Sequence, residues 1–312
     1  MAAEFDFPVY PGWKTVRRIG TGSYGTVYEI ERDLLGQKER AALKVVSIPQ
    51  SESDVDELFS SGYEQDSIER RFQTFLEDIV REYQMMSDIK GHTNIVYCDD
   101  IQYLPKDGEF GWNVYIKMEL LTPLVKALGC ISNERDVIRL GMDICNALLL
   151  CESRNILHRD IKPQNIFVSR DGDFKLGDFG VAKMVEHTSG GTKIGSHNYM
   201  APEVYNYEPY GHTADIYSLG LVMYWLLNEQ RIPFVPRPPA IPSSEQIINA
   251  RKRRYQGEKL PAPAHGSEML KQIVLKACEY NPKARFASAE EMRARLAYIA
   301  KVPSKGESLA SK

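Results

Sequence analysis

The sequence predicts an α+β fold in two lobes, a small β-rich part carrying one long helix and a larger, mainly helical part. Two observations predict it. Up to about Leu120, apolar residues fall in short runs rich in Val, Ile and Tyr, broken by Gly, Pro, Asp and Asn. Beyond that point the apolar spacing changes to steps of three and four. Strands gathered first and helices second describe an α+β chain rather than an alternating one.

The expected strands are Lys14–Ile19, Thr26–Arg32, Ala41–Val46, Ile95–Tyr103 and Trp112–Glu119. Between the third and fourth, Ile68, Phe72, Phe75, Ile79, Met86 and Ile89 mark one face of a long amphipathic helix. Glu82 falls on that apolar face, where a carboxylate is costly unless a cation meets it. Helical spacing returns in Arg135–Cys151 and Leu270–Cys278. Pro49–Gly62, acidic and Ser-rich, and the Pro-rich Arg231–Ser244 read as loops. The polar stretch from Val302 to Lys312 reads as a fraying tail.

Composition narrows the function classes. The 312 residues are 43% hydrophobic and 26% charged, a globular balance. A net charge of −3 provides no global attraction for nucleic acid or an anionic membrane. Five cysteines without a C-x-x-C pair argue against a metal cluster or a disulfide framework and favour a reducing compartment. The first residues lack the order of a signal peptide, and Leu219–Leu227 is too short to span a membrane. These features predict a soluble intracellular chain.

Four segments carry chemistry. In Gly20-Thr21-Gly22-Ser23-Tyr24-Gly25, a glycine run is followed by the strand-like Thr26-Val27-Tyr28-Glu29-Ile30. A dinucleotide site would need a helix there. A hairpin flap whose amides close over phosphates fits instead, with an ordinary Gly-rich hairpin as the competing reading. Lys44 stands in the apolar strand Ala41–Val45 and is the natural partner for Glu82. In His158-Arg159-Asp160-Ile161-Lys162-Pro163-Gln164-Asn165, a base, a cation and an oxygen ligand share one loop. Asp178-Phe179-Gly180 follows Asn165 by thirteen residues and offers a carboxylate suited to Mg2+.

With Ala201-Pro202-Glu203, these motifs occur in the order of the eukaryotic-type (Hanks-type) protein kinases, which the chain resembles from about Trp13 to Leu296. The resemblance implies a catalytic domain over 13–300, after a lead-in at 1–12 and before a flexible tail at 301–312. Its small lobe would end near 119, its hinge run from 119 to 123, and its large lobe fill 124–300. It implies a serine/threonine protein kinase, a phosphotransferase moving the γ-phosphate of Mg-ATP to protein hydroxyls, with Mn2+ able to substitute. Asp160 then resembles the catalytic base, Lys44 the phosphate-binding lysine paired with Glu82, and Lys162 a residue near the γ-phosphate. Asn165 and Asp178 resemble the metal ligands. Ile19, Gly20, Thr21, Gly22, Ser23, Gly25, Val27, Ala42, Met118, Glu119, Leu121 and Phe167 resemble the ATP-binding set. Asp215 resembles the aspartate that fixes the catalytic loop, and Arg285 the partner of Glu203.

Lys162 and the segment Gly195–Glu203, similar to a substrate-docking loop, favour serine or threonine over tyrosine. The loop motifs, with Asp215-Ile216-Tyr217-Ser218-Leu219-Gly220, look like those of bacterial members. That places the chain in the cytoplasm, alone or as the cytosolic part of a membrane-anchored protein. Partners would be Ser/Thr-bearing proteins and, for autophosphorylation, a transient second copy; neither nucleic acid nor membrane contact is expected. Departures from the family pattern are Ser196 for a usual threonine, an extra Gly91, and a long stretch between Lys44 and Glu82. Tyr217 replaces a frequent tryptophan, a change expected to affect packing only. Arg159 beside Asp160 would meet a phosphate on Thr192, Thr188 or Ser189. The basic cluster Arg251–Arg254 reads as a solvated helix face, with a docking site as the competing reading. Two alternatives, a non-catalytic scaffold and a small-molecule phosphotransferase, are opposed by the intact Lys44, Asp160, Asn165 and Asp178 and by the Ala-Pro-Glu segment.

Overall fold

The computed structural model describes residues 9–22, 25–89, 91–178 and 196–302. The chain forms two compact units. The first holds residues up to 92 and 96–121; the second holds 93–95 and the described residues from 122 onward.

In the first unit, β1 (Lys14–Gly22), β2 (Gly25–Leu34), β3 (Gln37–Ile48), β4 (Cys98–Pro105) and β5 (Trp112–Met118) form an antiparallel sheet in the order β1-β2-β3-β5-β4. The period of two along β3 sorts its side chains between two clusters. Ala41, Leu43 and Val45 join Ile30 and Tyr115 on one face, beneath Tyr10 and Trp13. Val46 and Ile48 join Val114 on the other, against Phe75, Leu76 and Ile79 of the long helix α2 (Gln65–Asp88). Lys117 is sandwiched between the Tyr10 and Trp13 rings, 5.1 Å from each centroid, and pairs with Asp99 at 2.8 Å. The residues just before β1 therefore belong to the core.

Two expectations are corrected. The acidic stretch read as a loop contains a helix, α1 (Glu52–Ser60). Its start is fixed by the Asp54 carboxylate, which accepts from the amides of Gln50 and Ser51 at 2.9 and 3.0 Å. Glu52 and Asp54 in its first turn complement the helix dipole. Its apolar Val55, Leu58 and Phe59 do fall at helical spacing, but they are few and none is buried, so the acidic, Ser-rich composition dominates the reading. The fourth strand begins at Cys98 rather than Ile95, because Ile95 bridges to Leu176 in the second unit.

The second unit has a small sheet, β6 (Thr122–Pro123), β7 (Ile166–Val168) and β8 (Phe174–Leu176), resting on α3 (Glu134–Ser153). After α4 (Pro202–Tyr205) comes α5 (Thr213–Leu227), apolar on nearly every side and buried at almost every position. A helix apolar all round is one surrounded by protein. Gly220 on α5 lets the end of α7 (Glu268–Ala277) approach; an added Cβ would lie 2.7 Å from Cys278 Sγ and 2.8 Å from Ala277 Cβ. Helices α6 (Ser244–Tyr255) and α8 (Ala289–Ala300) complete the unit, α8 packing on α3. Among the described residues no helix is long and apolar enough to cross a membrane.

Trp13 is 3% exposed. Trp13→Ala is expected to lower stability by about 3–5 kcal/mol in urea unfolding, as removal of a large core side chain does.

Candidate active site

The first unit arranges one set of the expected residues. In the register of the sheet, Val27 lies opposite Lys44, and Ala42 opposite Met118. Directly paired residues share a face, so Val27, Ala42, Lys44 and Met118 line the same side as Val46 and Ile48. Ile19, Gly20, Thr21 and Gly22 end β1, and Gly25 opens β2 across from Gly22. Strands thus stand on both sides of the glycine turn. Gly25 has φ +149°, and a Cβ there would lie 2.1 Å from the Val45 carbonyl oxygen. Only glycine fits this approach. Glu119 is locked by reciprocal bonds: its amide donates to the Tyr97 carbonyl at 3.1 Å, and its Oε1 accepts from the Tyr97 amide at 2.6 Å. Leu121 follows, half-buried. Glu82 belongs to α2, but its side chain lies outside the described part, as do Ser23 and the candidates Thr188, Ser189 and Thr192.

The second unit holds the loop from His158 to Asn165. Asp160 Oδ2 accepts from Lys162 Nζ at 2.8 Å and from Asn165 Nδ2 at 2.9 Å. Asn165 Nδ2 also donates to the Asp160 carbonyl at 2.9 Å. Both amide hydrogens of Asn165 are thus used on Asp160, which leaves Oδ1 as the oxygen a hard cation would take. The Gly177 amide donates to the Asn165 carbonyl at 2.9 Å, which brings the β8 end and Asp178 beside this loop. Phe167 lies on β7, opposite Pro123 and Lys175.

Asp215 of α5 fixes the loop from beneath. Its buried carboxylate accepts from the amides of His158 and Arg159 at 2.8 and 2.9 Å. Arg159 and Asp178 have φ of 64° and 53°, left-handed backbone that costs a non-glycine residue about 1 kcal/mol or more. Fully buried His158 accepts the Asp160 amide on Nδ1 at 3.3 Å, so its proton sits on Nε2 and is donated to the Gly177 carbonyl at 3.1 Å. Burial lowers its pKa, against opposing pulls from Asp215, Asp160 and Asp178. The imidazole is a neutral strut between the two loops.

Glu203 and Arg285 form a buried bidentate pair at 2.6 and 2.7 Å. Arg285 also donates to the carbonyls of Glu279, Thr213 and Tyr280. Losing one member of such a pair strands the other and costs about 3–5 kcal/mol.

The model of the protein kinase domain matches residues 13–296. The chain belongs to the protein kinase domain family. It is 29% identical to the probable serine/threonine-protein kinase PknB of Lactococcus lactis, over 95% of this chain and 43% of that protein. It is also 29% identical to the serine/threonine-protein kinase Pkn1 of Myxococcus xanthus, over 90% of this chain and 37% of the relative. For the serine/threonine-protein kinase Nek6 of Oryza sativa the identity is 26%, over 90% and 47%. The chain thus spans less than half the length of these relatives, and what it matches in them is a serine/threonine protein kinase domain. Protein kinase domains use ATP and a divalent metal and act on proteins.

Two sequence readings of this kinase domain are corrected. The cluster Arg251–Arg254 is not one solvated face. Arg253 is exposed and pairs with Glu258, whereas Arg254 is buried and donates to the carbonyls of His197 and Met200 at 2.6 and 3.0 Å. Nor does Tyr217 affect packing alone: its hydroxyl accepts from Arg254 Nη1 at 3.4 Å, and its ring faces the guanidinium of Arg285 at 4.6 Å. Buried polar atoms need partners, which is the one signal a hydroxyl in place of an indole could have offered.

The unfolded chain protonates histidine below about pH 6.5, where folded His158 resists the proton, so its contribution to stability falls as pH falls. The stability margin of wild type over His158→Gln is expected to shrink between about pH 7.5 and about pH 5, by at most about 1.4 kcal/mol per pH unit, in urea titrations at each pH.

Proposed function

We propose that this chain is an active serine/threonine protein kinase that transfers the γ-phosphate of Mg-ATP to protein hydroxyls. The observation that supports this reading best is the convergence of Lys162 and Asn165 on one carboxylate oxygen of Asp160. In this reading Asp160 accepts the proton of the acceptor hydroxyl as its oxygen forms a bond to the γ-phosphorus. The bond from that phosphorus to the β,γ-bridging oxygen breaks, and ADP leaves. Lys162 offsets charge on the transferring group while keeping Asp160 oriented. Mg2+, with Mn2+ able to replace it, would be held by Asn165 Oδ1 and Asp178 and would neutralise charge on the phosphates.

Lys44, with Glu82 as its counter-ion, receives the α- and β-phosphates. The flap from Ile19 to Gly25 covers them by its amides. Val27, Ala42 and Phe167 flank adenine, Met118 limits the depth of its pocket, and the backbone from Glu119 to Leu121 reads its edge. Acceptors are Ser- or Thr-bearing proteins of the cytoplasm. A second copy of the chain is one of them, met transiently, with Thr192 modified before Thr188 or Ser189 and Arg159 receiving the phosphate.

Radiolabel transfer from ATP to a generic protein tests the reading; Asp160→Asn is expected to reduce it by roughly 10² or more. Absence of transfer by the wild type under every activating condition overturns it. Mass spectrometry after incubation with ATP is expected to find phosphate between Met184 and Ile194, first on Thr192. A segment that stays unmodified removes the autophosphorylation step.

A further inference from the structure

We infer that Arg254 of α6 is a positioning residue for the protein acceptor, holding residues 197–200 in the shape against which a Ser/Thr peptide docks; this rests on the kinase reading. Arg254 is only 2% exposed. Its Nη2 donates to the His197 carbonyl at 2.6 Å, and its Nη1 to the Met200 carbonyl at 3.0 Å. The Tyr255 hydroxyl donates to the same His197 carbonyl at 2.6 Å, and Ser218 Oγ of α5 to the Tyr199 carbonyl at 2.8 Å. Three carbonyls within four residues are thus taken by side chains of α5 and α6. Tyr255 is itself fixed, its ring stacked on Tyr205 at 3.9 Å and 6°.

The electrostatics make this arrangement conditional on the loop. Among the described residues no carboxylate pairs with Arg254, in contrast to Arg285, which also lies near the Tyr217 ring. Its buried charge is compensated by backbone carbonyls and by the rings of Tyr255 and Tyr217, 4.7 and 5.7 Å away. Moving residues 197–200 away would strand a buried cation, which is expensive. The loop and α6 are therefore coupled. The Asp160 loop has its own anchor in Asp215, so the clamp is separable from the phosphoryl chemistry.

The test compares Tyr255→Phe, which deletes one hydroxyl, with Arg254→Met, which keeps much of the stem and deletes the donors. Steady-state kinetics would use a Ser/Thr peptide that the wild type phosphorylates, and hydrogen exchange would follow the amides of residues 197–201. Tyr255→Phe is expected to raise the peptide KM about fivefold, and Arg254→Met about tenfold or more, from the usual worth of a neutral and a charged hydrogen bond. The KM for ATP should stay unchanged. Exchange should quicken at 197–201 and not in the β7–β8 hairpin. If Arg254→Met does not fold, Tyr255→Phe decides alone. An unchanged peptide KM beside an active wild type overturns this inference and leaves the kinase reading standing. So does a rise of both KM values with faster exchange throughout the unit, the mark of a merely structural role. A wild type that phosphorylates nothing sinks both.

Discussion

Two backbone amides pointing at one buried carboxylate hold the loop from His158 to Asn165 in place. Asp215 accepts from His158 and Arg159, and the left-handed turn at Arg159 persists because both bonds reward it. From there the order propagates outward. His158 carries it to Gly177 through a single tautomer, and Gly177 carries it to Asn165. Asn165 and Lys162 then close on Asp160. Each bond is ordinary in strength. Together they leave the Asp160 carboxylate few alternatives, the preorganisation that the proposed role as a base requires.

Most of this was legible in the sequence because the chemistry is written in short segments. Asp160, Lys162 and Asn165 lie in one loop, and the period of two in β3 carries Lys44 to the face of Val46 and Ile48. The strands and the long helix were visible for the same local reason. What local pattern could not reveal were the partnerships made across distance. In the run Arg251–Arg254, neighbouring arginines have opposite fates, one exposed beside Glu258 and one buried under a loop more than fifty residues earlier. Nothing in the run itself distinguishes them. Helix α1 was missed because three half-buried or exposed apolar residues stand in an acidic, Ser-rich stretch, and Tyr10 because a single aromatic before the first strand has no period.

The two units accommodate cations beside aromatic rings differently. In the first, Lys117 lies between aromatic rings and meets Asp99 at its tip. In the second, two arginines lie near the Tyr217 ring, yet among the described residues only Arg285 of these two meets a carboxylate. Burial pushes the Tyr217 hydroxyl far above its ordinary range, so it stays protonated and supplies no counter-charge. Arg254 meets no carboxylate among the described residues, and the carbonyl dipoles of His197 and Met200 face it instead.

That composition bears on how residues 197–200 respond to their surroundings. A guanidinium, peptide carbonyls, and the Tyr217 and Tyr255 phenols raised by burial do not titrate between about pH 4 and about pH 10. Buried as they are, they are also shielded from dissolved salt. The bonds that Arg254 and Tyr255 make to the segment are thus set by groups that keep their charge state across that range. Breaking those bonds takes a force, such as a bodily shift of α6, or a covalent change in the segment itself.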